Sequence, residues 1–120
     1  MSTTVSDTSE FGIAPELSAF QQHILTILAK KPRYGLAIKR ELDAYYDQET
    51  NHGRLYQNLS TLVELGLVEK SARDKRTNEY ALTEAGRDTI ATQLSWVFSR
   101  FVTDEDRATE LETLVDDARR

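Results

Sequence analysis

The segment His52–Arg87, HGRLYQNLSTLVELGLVEKSARDKRTNEYALTEAGR, constrains the fold more than any other part of this 120-residue chain. Leu55, Leu59, Leu62 and Val63 recur at i, i+4, i+7 and i+8, the spacing of one buried helical stripe. Arg54, Gln57, Asn58 and Thr61 recur at i, i+3, i+4 and i+7 on another face. Gly66 stands where the apolar period stops, as a glycine just past a helix end does. Leu67–Ala72 then reads as a strand, Arg73–Asn78 as a loop and Glu79–Leu82 as a returning strand. Thr83, followed by Glu84 and Gly86, opens a further helix, without a glutamate at the capping-box position.

Upstream, a first helix is expected from about Glu16 to Ala29, burying Leu17, Phe20, Ile24, Ile27 and Leu28. Lys30, Lys31 and Pro32 end it. A second helix from about Tyr34 to Tyr46 carries Ile38, Leu42, Tyr45 and Tyr46 on one stripe, and Asn51 is the expected cap of the third. Beyond the hairpin, Ile90, Leu94, Val97, Phe98 and Phe101 form a stripe that Ala91, Trp96 and Val102 widen. Thr103 reads as the cap of a last helix showing Ala108, Leu111, Leu114, Val115 and Ala118 on one side. The expected class is mainly α with a small β-hairpin: a winged helix-turn-helix with C-terminal dimerisation helices. Its expected divisions are a flexible polar tail over 1–15, the winged domain over 16–86 and the dimerisation helices over 87–120.

A net charge of −5 argues against nucleic acid until the chain is partitioned. Residues 30–87 hold 11 Lys and Arg against 9 Asp and Glu, whereas the rest holds 4 against 11. The acid thus sits at the two ends, where it serves solubility or suits a high-salt host. The absence of cysteine excludes disulfides, thiolate metal sites and a thiol switch. His23 and His52 fall on separate elements with no ligand pattern around them, so no metal and no cofactor are expected. No Gly-rich phosphate loop or nucleophile–base pair is present, and an enzyme is not expected. The N-terminus lacks a secretory pattern and no apolar run would span a bilayer, which makes a cytoplasmic location the expectation and a membrane partner not.

Double-stranded DNA is the expected partner. Arg54 suits guanine and Gln57 or Asn58 adenine, with Thr61 on the same face, although any small helical domain has a polar outer face. Arg73, Lys75 and Arg76 put three cations in four positions at the hairpin tip, more one-sided than solubility requires. Lys39, His52 and Tyr56 complete the candidate phosphate contacts, Tyr56 being equally able to pack or stack. Ile90, Leu94, Trp96, Val97, Phe98, Phe101, Leu111 and Leu114 are the candidate homodimer face. That helix could instead fold back on its own domain. Two rivals are a protein-interaction module that uses the same helix, and a ligand-gated regulator with an aromatic pocket near Trp96 whose effector is unknown. Salt ions at the DNA interface are further candidate ligands.

Three motifs carry a family resemblance. ILTILAKKPRYGLAIKREL (Ile24–Leu42), GRLYQNLSTLVELGLV (Gly53–Val68) and YALTEAGR (Tyr80–Arg87) resemble, in uninterrupted order, the PadR-type winged-helix regulators. The acidic flanks and short C-terminal part are most similar to haloarchaeal members concerned with oxidative stress. The resemblance implies a homodimeric, sequence-specific transcription factor with base contacts from Arg54, Gln57 and Asn58 and wing contacts from Arg73, Lys75 and Arg76. Two positions depart from the family pattern: Gln57 stands where a proline often follows Leu-Tyr, and Leu36 where an aromatic residue is usual. The short C-terminal part leaves little room for an effector pocket.

Overall fold

The computed structural model describes residues 10–74 and 77–120. Ser18 opens the first helix, α1 (Ala19–Lys30), through a reciprocal capping box. Its hydroxyl accepts the Gln21 N–H at 3.1 Å, while the Gln21 side chain accepts the Ser18 N–H at 3.0 Å. The helix therefore starts three residues later than its apolar period suggests. Ala14–Glu16 instead form a short 3-10 turn, with Ala14 and Leu17 buried and Ile13 packed on the core. Residues 10–15 are thus folded, which corrects the expectation of a flexible tail to residue 15; the rest of that tail, 1–9, lies outside the described residues.

Lys31 precedes Pro32 and is extended, as the proline ring requires. The chain leaves it as a two-residue strand, β1 (Arg33–Tyr34), and turns directly into α2 (Gly35–Tyr46). Asp47 closes α2 in the left-handed region at φ 56°, its N–H bonded to the Asp43 carbonyl. Asn51 caps α3 (His52–Glu64) by accepting the Arg54 N–H at 2.8 Å. At the far end Gly66 takes φ +80°, the N–H of Leu67 reaches the Leu62 carbonyl and that of Gly66 the Val63 carbonyl. This is a Schellman stop, which a side chain at Gly66 would strain.

Strands β2 (Val68–Ala72) and β3 (Asn78–Leu82) pair antiparallel, from Val68 opposite Leu82 to Ala72 opposite Asn78. On its other edge β3 pairs with β1, Arg33 opposite Tyr80, so the expected two-stranded hairpin is the larger part of a three-stranded sheet. Thr83 caps α4 (Glu84–Phe101), accepting the Gly86 N–H at 3.0 Å and donating to the Gly66 carbonyl at 2.6 Å. Asp104, not Thr103, caps α5 (Glu105–Ala118), because its carboxylate is the group within reach of the Arg107 N–H, at 2.9 Å.

The core lies where α1, α2 and α3 meet the sheet. Ile24, Leu25, Ile38, Leu42, Leu55, Leu59 and Leu62 are fully enclosed there, and Val68 and Tyr80 close it from the sheet. Tyr45, expected on the inner stripe of α2, is 69% exposed; the fully enclosed Leu25 of α1 falls outside its expected stripe. The pattern of apolar periods thus yields the three-helix core, with local errors where helices turn their flanks to solvent.

Candidate nucleic-acid interface

With Leu55, Leu59 and Leu62 inward, the outermost line of α3 is Gly53, Gln57, Ser60 and Glu64, all exposed. Gln57 is at its centre, and its side chain makes no hydrogen bond among the described residues. Arg54 lies on one flank, its guanidinium 4.0 Å above the Phe20 ring of α1. Asn58 is further round the same flank and half-buried. Its carbonyl oxygen accepts from Gln21 Nε2 at 3.0 Å and its amide donates to the Arg54 carbonyl at 2.8 Å. Both ends of the Asn58 amide are thus engaged within the domain, and the pair is not free for a bidentate contact with a base edge. The Thr61 hydroxyl returns to the Gln57 carbonyl at 3.1 Å. The polar arc expected from the periodicity lies on the α1 side of this exposed line. Ser60, three residues from Gln57, belongs to the exposed line and falls outside the expected arc.

On the opposite flank His52 and Tyr56 lie ring to ring, centroids 4.6 Å apart, and Tyr56 covers Gly35 at the start of α2. Lys39, expected among the phosphate contacts, is engaged by carboxylates of its own domain. It is 15% exposed, bonded to Asp43 at 3.1 Å and to Glu49 at 3.5 Å. These carboxylates hold the Lys39 ammonium above its usual value, Asp43 foremost. The i, i+4 spacing of Lys39 and Asp43 was the available signal for that pairing. Its neighbour Arg40 is the exposed cation of α2 and makes no ion pair among the described residues.

At the start of the hairpin loop Arg73 Nε donates to Glu79 on β3 at 3.0 Å. That hydrogen bond raises the Arg73 guanidinium further above its usual value and partly cancels its field. Lys75 and Arg76, the other two wing cations, lie outside the described residues.

The C-terminal helices carry a broad apolar surface. Leu94, Trp96, Val97 and Phe98 on α4 and Leu114 and Val115 on α5 are exposed, and α5 buries none of its residues. Phe101 and Leu111 are half-buried, Phe101 beneath the Arg107 guanidinium at 5.1 Å. Ile90 departs from the expected set: it packs on the core of its own domain, because the first turns of α4 run against α1 and β3. Near Trp96, an open, mostly apolar cavity of about 440 Å³ lies between α4 and the folded N-terminal turn. Among the described residues no cluster of His, Cys, Asp or Glu could hold a metal ion, and no helix is long and apolar enough to cross a membrane.

Residues 24–92 match the transcriptional regulator PadR-like family. The chain belongs to the PadR-like family. Its PadR-like fold is that of RosR from H. salinarum, at 58% identity and a TM-score of 0.86, over 88% of this chain and 96% of RosR. The same relative in the complex RosR-S4 gives 58% identity and 0.87, covering 88% of this chain and 92% of that one. A PadR family transcription regulator from Clostridium difficile shares the fold at 22% identity and a TM-score of 0.56, over 69% of this chain and 92% of that one. No curated protein sequence matches the chain. As a PadR-like protein it is a DNA-binding transcriptional regulator.

Proposed function

We propose that the chain works as a homodimer that reads a pseudo-palindromic operator, with α3 of each copy in a major groove and the wing along the flanking backbone. The observation that carries this reading is the exposed line Gly53–Gln57–Ser60, with no hydrogen bond at the Gln57 side chain among the described residues. Gln57 is the primary base reader, suited to the N6 and N7 edge of adenine. Arg54 joins it by swinging off Phe20, a movement that exchanges one cation–π contact for a guanine edge. Thr61 borders the base-reading surface, while Asn58 holds α3 against α1. His52, Tyr56, Arg73, Lys75 and Arg76 supply the phosphate contacts of this reading. Glu64, at the C-terminal end of the outer line, repels backbone phosphate and favours insertion of the N-terminal half.

The exposed apolar surface of α4 and α5 supports the dimer, in which a two-fold axis sets the two reading helices about 34–36 Å apart. Residues 16–86 are the DNA-binding unit and 87–120 the dimerisation segment, with Ile90 anchoring one to the other. Similarity to haloarchaeal regulators supports a cytoplasmic role in the oxidative-stress response, with salt ions exchanging at the DNA interface. Selection of bound genomic fragments at several salt concentrations tests the reading. Enrichment of a two-fold-related site is expected. Equal recovery of all fragments points instead to a protein-interaction module.

A further inference from the structure

Arg54 carries the positive charge of α3. Its guanidinium meets no carboxylate and makes no hydrogen bond among the described residues; it lies over the Phe20 ring, 4.0 Å from the centroid. The ring cannot follow it outward. Phe20 is buried in the core, and Tyr46 of α2 packs nearly parallel to it, with centroids 6.2 Å apart and planes 16° from one another. The backbone at Arg54 is fixed as well. Asn51 accepts the Arg54 N–H at 2.8 Å, and the Asn58 amide donates to the Arg54 carbonyl at 2.8 Å. The Asn58 oxygen accepts from Gln21 Nε2, while the Gln21 oxygen is taken by the Ser18 N–H, so the Gln21 amide presents its N–H side to α3. Gln21 thus braces the backbone of the reading helix, and its neighbour Phe20 receives the guanidinium. What stays free at Arg54 is rotation of the side chain.

A ring holds a guanidinium through its face and occupies none of its N–H donors. Such a contact is weak enough to be left for guanine, whose O6 and N7 accept two N–H groups at once. It is also better than an unpaired, desolvated position beside a base that offers no such pair. We propose that Phe20 is a specificity-determining residue of this regulator: it gives Arg54 a resting place on the protein, so that guanine at the facing base pair is read where it occurs and its absence is tolerated elsewhere. Without that place, the charge of Arg54 would lie desolvated at every site lacking the guanine. Phe20 therefore broadens the set of operators and lowers affinity for the best of them. The inference rests on base reading by Arg54, proposed above, and adds the condition under which that reading happens.

Phe20→Leu in the full chain tests it, since the exchange keeps an apolar side chain and removes the ring face. Wild type, Phe20→Leu, Arg54→Ala and the double variant are titrated on a selected operator and on operators with each guanine replaced in turn by adenine. Phe20→Leu is expected to bind the operator about threefold more tightly, the size of a cation–π contact near the surface. It is expected to bind more weakly than wild type where the guanine facing Arg54 is replaced, which sharpens discrimination at that one pair. In the Arg54→Ala background the same exchange should change nothing at that pair. NMR of the wild-type chain supplies a readout that needs no variant. Ring-current shifts of the Arg54 δ-methylene protons are expected in the free chain and on the guanine-lacking site, and are expected to vanish on the operator. Equal effects of Phe20→Leu on both sites, an effect that persists without Arg54, or arginine resonances alike in the two complexes overturn the role of Phe20 while leaving base reading intact. Arg54→Ala that discriminates as wild type does removes base reading by Arg54 and this inference with it. A wild-type chain that binds no duplex sinks the DNA-reading function as a whole.

Discussion

Asp43 on α2 accepts the backbone N–H of Thr50 at 2.6 Å, one residue before the cap of α3. Thr50 is itself buried, so the connection ties the turn between the two helices to the body of the domain. The N–H of Thr50, above all, holds the Asp43 carboxyl below its usual value of 3.8, with Lys39 assisting. A carboxyl depressed by folding contributes stability that is present above its unfolded value and lost as pH falls through the folded one. Thermal melts across the acid range are expected to show Asp43→Asn less stable than wild type near neutrality, with the gap closing as the medium is acidified. A gap that stays constant with pH would remove the carboxylate from this role.

Gln57→Ala is expected to weaken operator binding by about 1–3 kcal/mol and leave random duplex unaffected. Asn58→Ala should behave differently, lowering unfolding stability by about 1 kcal/mol through loss of the Gln21 bond. Paired binding and denaturant titrations of the two variants separate reader from brace.

Glu79→Gln releases Arg73 from its carboxylate. Affinity for all duplexes should rise, and the slope of log affinity against log salt should steepen by about one phosphate contact. An unchanged slope in a salt titration means that Arg73 stays clear of the backbone.

Trp96→Glu on the exposed face of α4 should convert a dimer to monomers in sedimentation equilibrium and reduce operator affinity with it. Each large apolar side chain covered at such a contact contributes about 1.5–3 kcal/mol. A variant that remains dimeric locates the contact elsewhere.

Gly86→Ala places a methyl group against the Leu67 carbonyl and the Leu82 side chain, both backed by the sheet. Overpacking of this kind costs about 1–3 kcal/mol, measurable as a lower denaturant midpoint.

How much of this was legible in the sequence depends on whether a signal was periodic or relational. The stripe Leu55–Leu59–Leu62, the Asn51 and Thr83 caps and the Gly66 stop are readable because each is encoded within one short, continuous piece of chain. Strand β1 was not, since two residues carry no period and Arg33–Tyr34 become a strand only when β3 lies beside them. The start of α1 differs from the expected one because Leu17 fits the helical stripe, while the capping box at Ser18 decides the boundary.

The site shows the same division. Periodicity identifies the polar arc of α3, yet only the position of α1 reveals that Asn58 is bonded to Gln21 and Arg54 rests on Phe20. Lys39 and Arg40 are adjacent and alike in charge; their opposite fates follow from Asp43 and Glu49, one turn and one loop away.

Thr83 bonds to the Gly66 and Leu67 carbonyls while it starts α4, and Gly86 presses on Leu67 just behind it. The end of the reading helix and the root of the long C-terminal helix are therefore welded at one point, with no slack residue between them. In a two-fold pair this rigidity fixes the span between the two grooves, so any mismatch in operator spacer length has to be absorbed by bending or twisting the duplex rather than by the protein.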